Sequence, residues 1–167
     1  MGVSDAGSIE LENDGYRFVE AVRTLDDDYD RQGHLNNAAI VRFFNDMRAA
    51  YVYERVGTWW GRALGAERFV VAARELHVLY ESEGLPGETF VGAMKYVARE
   101  GKALILEQRI VERATGRAVA RAWVVQLLVQ DGSVVEWPAP YVARVEEIEG
   151  RSLPARPRTP RPWGPPS

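Results

Sequence analysis

"TLDDDYDRQGHLNNAAIVRFFNDMRAAYV", residues 24–52, contains the change of period that decides the fold. Its second half repeats apolar residues at Ile40, Phe44, Met47 and Tyr51, spaced 4, 3 and 4, with Phe43 and Ala50 beside them. That spacing is one buried stripe of an amphipathic helix. Arg42, Asn45, Asp46 and Arg48 fall largely off the stripe. Asn36 or Asn37 can cap the start of the helix, and Gly57 can stop it. The first half follows no helical pattern. Four of its first seven residues are acidic, and no Lys or Arg balances them before Arg31.

Working outward, "GYRFVEAVRT" upstream alternates as a strand does, with Phe18 and Val22 two periods apart. Downstream, "GTWWGRALG" connects to strands expected near 67–80, 88–99, 102–114 and 117–130. Gly84, Pro86 and Gly87, then Gly101, then "ATGR", punctuate the gaps, and "DGS" ends the last strand. Gaps this short imply antiparallel neighbours. "APYVARVEEIEG" reads as a short closing helix. One helix and one sheet, each with an apolar face, bury those faces against each other. The expected fold class is therefore α+β, with an antiparallel sheet against one long helix. The sheet's second face and its edges still need cover, which favours an oligomer.

The domain is expected to span 15–150. Residues 1–14 are small, polar and acidic, and read as a flexible lead. Residues 151–167 hold six of the nine prolines and four arginines, and read as an extended or disordered tail. The tail contains PxxP spacings such as Pro154 to Pro157, a pattern that arises readily in any Pro-rich segment. A length of 167 residues suits one domain with a real core. The net charge of −3 offers no electrostatic case for nucleic acid, and removing the basic tail leaves residues 1–150 near −7. With no Cys there are no disulfides, thiolate metal sites or Cys nucleophile. No apolar stretch approaches the roughly 20 residues of a membrane span. The acidic start lacks the basic and apolar regions of a signal peptide, so the expected location is cytoplasmic.

Four readings of the acidic loop compete. Asp26, Asp28 and Asp30 occupy positions 1, 3 and 5 of a calcium-loop pattern, but Arg31 stands where Gly is needed and Asn37 where the bidentate Glu is needed. A transition-metal site is short of ligands, since His34 and His77 are the only histidines. Acids ahead of a helix start are stabilising, by about 0.3–1 kcal/mol each, which accounts for one or two of the four. The fourth reading is catalytic. Free backbone amides at a helix start can stabilise a developing oxyanion, and a carboxylate just upstream can attack a carbonyl or activate water. Asp30, Gly33, His34, Asn36 and Asn37 place both parts on one short segment, and Gly33 allows the tight turn.

The stretch "DYDRQGHLNNAAIVRFFNDMRAAYV" resembles the signature of the hotdog-fold acyl-CoA thioesterases of the 4-hydroxybenzoyl-CoA thioesterase-like group. Their pattern D-x-D-x-x-G-H-[VL]-N-N-x-x-[YI] is met by Asp28, Asp30, Gly33, His34, Leu35, Asn36, Asn37 and Ile40. "TGRAVARAWVVQLLV" resembles the family's late strand, and the resemblance covers roughly residues 15–140. It implies a sheet wrapped around a central helix and hydrolysis of an acyl thioester. It implies Asp30 as the catalytic carboxylate and backbone amides near Asn37 and Ala38, with Asn36 beside them, as the oxyanion donors. Gly33 and His34 would shape the turn. A His seven positions after the catalytic Asp in some relatives is here Asn37, and a polar residue four before it is Asp26. Coenzyme A is expected as part of the substrate rather than as a retained cofactor, and no metal is implied. Homodimers or homotetramers with sites at the subunit interface are expected.

Other residues carry two readings each. Phe43, Phe44, Met47 and Tyr51 read as core, and Phe43, Phe44 and Tyr51 also as candidates for the acyl pocket. Trp59 and Trp60 either cap an acyl tunnel or pack beneath the loop. Arg99 and Lys102 flank the Gly101 turn as a solvated hairpin tip, or meet the phosphates of coenzyme A. His34 would orient the turn through a side-chain to backbone hydrogen bond or take part in the chemistry. His77, with Glu75 on the same strand face, reads as structural. A non-catalytic acyl-CoA-binding hotdog protein and a thioesterase acting on carrier-bound acyl chains remain alternatives.

Overall fold

The computed structural model describes residues 5–57 and 69–158. Helix α1 spans Ala6–Asn13, strand β1 Phe18–Val22, and helix α2 Asn37–Ala50. A wider π-helical segment, Tyr51–Gly57, continues α2. Strands β2 (Phe69–Tyr80), β3 (Phe90–Glu100), β4 (Ala103–Glu112), β5 (Ala118–Gln130) and β6 (Ser133–Val135) follow, and helix α3 spans Ala139–Glu149. The sheet order is β1-β3-β4-β5-β2, with every strand pair antiparallel and β6 added to β5.

The stripe expected on α2 is the stripe it buries. Ile40, Phe43, Phe44, Met47 and Tyr51 enter the main core with Phe90, Met94, Tyr96, Leu104, Leu106 and Ile110 from the sheet. This wraps an antiparallel sheet around one central helix, the hotdog architecture. Beyond the last α-helical turn, Tyr51 stacks edge-on against Phe18 and Tyr96, each at 5.4 Å between ring centroids. The Tyr51 hydroxyl donates to Glu149 Oε1 at 2.8 Å, and the Tyr96 amide donates to the same oxygen at 2.9 Å. Burial pushes the Glu149 carboxyl above its ordinary range. Helix α3 is thereby pinned against the π-helical segment and β3 through the two bonds to Glu149.

The two ends of the chain differ from expectation. The lead 1–14, expected to be flexible, contains α1. Its Leu11 is fully buried against Tyr16, Val91, Ala93 and Val111 on the outer sheet face. The Gly7 amide donates to the Arg113 carbonyl at 2.9 Å, and Arg113 forks onto both Asp5 oxygens at 3.1 Å. One apolar anchor in an acidic helix shows no helical period, so tertiary contact rather than pattern selects α1. The start of the tail is packed. Leu153 joins the main core, and Arg99 pairs with the tail through Arg99 N to Pro154 O (2.9 Å) and Arg156 N to Arg99 O (2.8 Å). Arg158 then reaches Glu75 of β2 at 3.5 Å, so this segment crosses the outer face. Residues 159–167 lie outside the described residues, as do Trp59 and Trp60.

Candidate active site

The acidic loop ends in a tight turn made by its own backbone. Asp30 N donates to His34 O at 2.8 Å, and Gly33 N donates to Asp30 O at 3.0 Å. Gly33 sits at φ +81°, the left-handed region that favours glycine. Asp30 Oδ1 then accepts the amides of Gln32 (2.8 Å) and His34 (3.1 Å). One carboxylate oxygen is thus fixed, while Oδ2 takes no hydrogen bond from the described residues. The His34 and Gln32 amides hold the Asp30 carboxyl below the usual carboxylate range, so it is ionised at neutral pH.

The loop meets the start of α2 directly. Asn36 adopts extended backbone, and its side chain accepts from the Ala39 amide at 2.7 Å, a standard N-cap. The Asn36 amide donates to the Asp28 carbonyl at 2.8 Å. It is therefore engaged, which removes Asn36 from the expected oxyanion donors. The amides of Asn37 and Ala38 meet no acceptor among the described residues, and both residues are exposed. They are two of the orphan donors that every helix start leaves, at its positive end.

Asp30, Gln32, His34, Leu35, Asn37 and Ile40 line one side of a groove of about 370 Å³, and Tyr80, Glu81, Ser82 and Glu83 line the other. This second wall, the end of β2, was not singled out from the sequence. Gly84 carried the signal. Its carbonyl accepts the Leu35 amide at 2.9 Å, and a Cβ there would stand 2.5 Å from Leu35 Cδ1. Only glycine lets the acidic loop lie against the end of β2. The His34 side chain does not shape the turn as expected. Its backbone does, while Nε2 faces Glu83 Oε2 at 3.4 Å across the groove.

Several expected site residues lie elsewhere. Phe44 and Tyr51 are fully buried in the core and do not line the Asp30 groove. Phe43 borders a separate groove with Val22, Leu25 and Asp46, beside β1. Ile40 is the α2 core residue that faces Asp30's groove. Arg99 and Lys102 flank the hairpin where Glu100 pairs with Ala103, whereas the Asp30 groove lies towards the opposite sheet end, where Phe90 pairs with Glu112. The ten residues of β4 separate these ends by about 30 Å. Lys102 Nζ instead donates to the Val134 carbonyl at 3.1 Å. Within one chain, then, neither cation reaches the groove. His77 packs its ring 6.0 Å from Trp123, also away from Asp30. Among the described residues no three side chains gather as metal ligands, and no helix is long and apolar enough to cross a membrane.

A fixed, ionised carboxylate beside two unpaired helix-start amides can hold a carbonyl oxygen and attack or activate water at its carbon. Comparison with solved structures places the chain in a known fold. A thioesterase from Thermus thermophilus, complexed with coenzyme A and Zn, is 26% identical, with 83% of this chain and 98% of that one covered and a TM-score of 0.70. Staphylococcus aureus protein SAV2348, in complex with CoA, is 15% identical over 87% of this chain and 89% of that one, with a TM-score of 0.72. Slr0204, a 1,4-dihydroxy-2-naphthoyl-CoA thioesterase from Synechocystis, is 9% identical over 77% and 94%, with a TM-score of 0.69. No curated protein matches the sequence. The profile of the Thioesterase-like superfamily matches residues 23–145, well over half of the chain, and the chain belongs to that superfamily as a hotdog-fold thioesterase.

Proposed function

We propose that the protein hydrolyses an acyl-CoA thioester to the free acid and coenzyme A, with Asp30 as nucleophile or general base. The amides of Asn37 and Ala38 receive the thioester oxygen as it gains negative charge. Water supplies the oxygen of the acid, and the thiol leaves with a proton. The observation that carries this reading is the shared groove. Asp30 is held by Oδ1, its Oδ2 takes no hydrogen bond from the described residues, and Asn37 lines the same groove. Coenzyme A in the T. thermophilus and S. aureus structures supports the choice of thiol.

The reading includes a homodimer or homotetramer. Strand β2 lies at the sheet edge, and its Val70, Leu76, Leu79 and Tyr80 are exposed. Tyr80 also lines the Asp30 groove, so a second copy on this edge would adjoin the site. Sedimentation of the full chain checks this, and a monomer at assay concentrations would remove that part of the reading.

The deciding experiment is thiol release from short, long, branched and aromatic acyl-CoAs, with wild type beside Asp30→Asn. Turnover that disappears in the variant supports hydrolysis at this site. A folded wild type that cleaves no member but retains one in native mass spectrometry would favour a binding protein instead.

A further inference from the structure

Of the four acids that open the loop, only Asp28 is buried; Asp26, Asp27 and Asp30 are exposed. The Asp28 side chain is 9% exposed and fully engaged. Oδ2 accepts the Leu25 amide at 2.8 Å, and Oδ1 accepts Arg42 Nη2 at 2.6 Å. Its carbonyl accepts the amide of the capping residue Asn36. The loop therefore meets its own start, the helix cap and the second turn of α2 at one residue. Arg42 is itself held in place. Nη1 lies 3.4 Å from Asp46 Oδ2 one turn along, and the guanidinium sits 4.7 Å over the Phe43 ring.

The chemistry proposed above needs two parts in register: Asp30 on the loop and the free amides on α2. Asp28 precedes Asp30 by two residues, and Arg42 follows Ala38 by four. The charge-assisted hydrogen bond between them, Arg42 Nη2 to Asp28 Oδ1, ties the loop to the second turn of α2 in addition to the backbone contact at Asn36. Displacing a reacting group by about 1 Å costs about 10²-fold in rate. Resting on the hydrolase reading, we propose that Arg42, acting through Asp28, sets the position of Asp30 relative to the Asn37 and Ala38 amides. Both are positioning residues, and neither touches the substrate.

The test compares Arg42→Ala, Arg42→Lys, Asp28→Asn and the double variant Asp28→Asn/Arg42→Ala in the full chain. The substrate is whichever acyl-CoA the wild type cleaves fastest, with Asp30→Asn in parallel. Arg42→Ala is expected to lower kcat by about 10²-fold, with KM changed less than about 3-fold and the unfolding temperature little altered. Arg42→Lys should recover part of the loss, because the charge survives while the separate guanidinium nitrogens that reach Asp28 and Asp46 do not. The double variant should be no slower than the slower single, since both remove one link. Hydrogen exchange needs no substrate, and the Gln32 and His34 amides that bind Asp30 should exchange faster in Arg42→Ala.

Full kcat in Arg42→Ala, with Asp30→Asn inactive, would overturn the proposal and leave the functional reading intact. So would multiplicative losses in the double variant, or unchanged exchange at Gln32 and His34. A raised KM at constant kcat would assign the pair to substrate binding instead. Full turnover in Asp30→Asn would overturn the functional reading, and this inference with it.

Discussion

At the start of α2 polar groups stand open to solvent, and at the far end of the same helical run they are sealed into the core. The start offers Asp30 Oδ2 and Asn37 in one groove, with the Ala38 amide next along the helix. The end offers the Tyr51 hydroxyl and the Tyr96 amide, both engaged by Glu149 Oε1. Unused hydrogen-bonding capacity in a groove is available to a substrate. The same capacity in a core would cost about 1–3 kcal/mol per orphaned group, and at this end the Tyr51 hydroxyl and Tyr96 amide avoid that cost through Glu149. Chemistry and stability are thus assigned to opposite ends of one element by what surrounds each end.

The sharpest way to break this contrast is at the open end. Asp30→Asn should lower turnover by about 10²–10⁴-fold, the usual loss when a catalytic base is removed. The amide oxygen of Asn can still accept from Gln32 and His34, so the turn and the unfolding temperature should persist. Thiol release and calorimetry on one sample measure both. Because the two amides lower the Asp30 pKa, wild-type activity should stay flat through neutral pH. It should fall only as acid protonates the carboxylate below its usual range.

In the middle of the helix the effect should move to stability. Phe44→Ala removes a fully buried ring and should cost about 3–5 kcal/mol by denaturant titration. The choice of acyl group should not change. A clean switch in substrate preference without loss of stability would return Phe44 to the acyl pocket. At the closed end, Tyr51→Phe leaves the buried Glu149 with one donor fewer. It should lose about 1–3 kcal/mol of stability while keeping kcat.

The smallest expected effect is a pH dependence of that closed end. Glu149 is raised above the ordinary glutamate value of 4.5, first by burial. A raised folded pKa means the folded state binds the proton more tightly than the unfolded state does. Its contribution is therefore present below the unfolded pKa and is lost as pH rises through the folded one. Unfolding curves of wild type and Glu149→Gln should diverge across that window, the wild type weakening as pH rises. Parallel curves would place the buried charge elsewhere.

How much of this was readable differs from residue to residue. The α2 stripe was, because a helix that buries one face must repeat its apolar residues at that period. The β3–β4 and β4–β5 hairpins were, because short gaps with turn residues compel reversal, but the Gly84 gap does not make neighbours of β2 and β3, and β2 pairs with β5 instead. Asp30 and the helix start were, because the motif places them on one continuous segment. The second groove wall at Tyr80–Glu83 was not, since contact across some fifty residues leaves no local pattern beyond an unexplained Gly84. Asn36 was read as a donor, yet its amide is engaged by Asp28, a pairing that only the folded loop reveals.

Sequence alone determined the central helix, the antiparallel strands and the carboxylate ahead of the helix start, because periodicity, turn chemistry and motif spacing are local properties. Tertiary structure alone decided that α1 packs on the outer sheet face, that the start of the tail buries Leu153 and pairs with Arg99, and that Arg99 and Lys102 stand a sheet length from Asp30. It alone decided that Asp28, not its acidic neighbours, is the one locked to Arg42. Those outcomes depend on which distant groups meet, and the free energy of such meetings is written in no single stretch of chain.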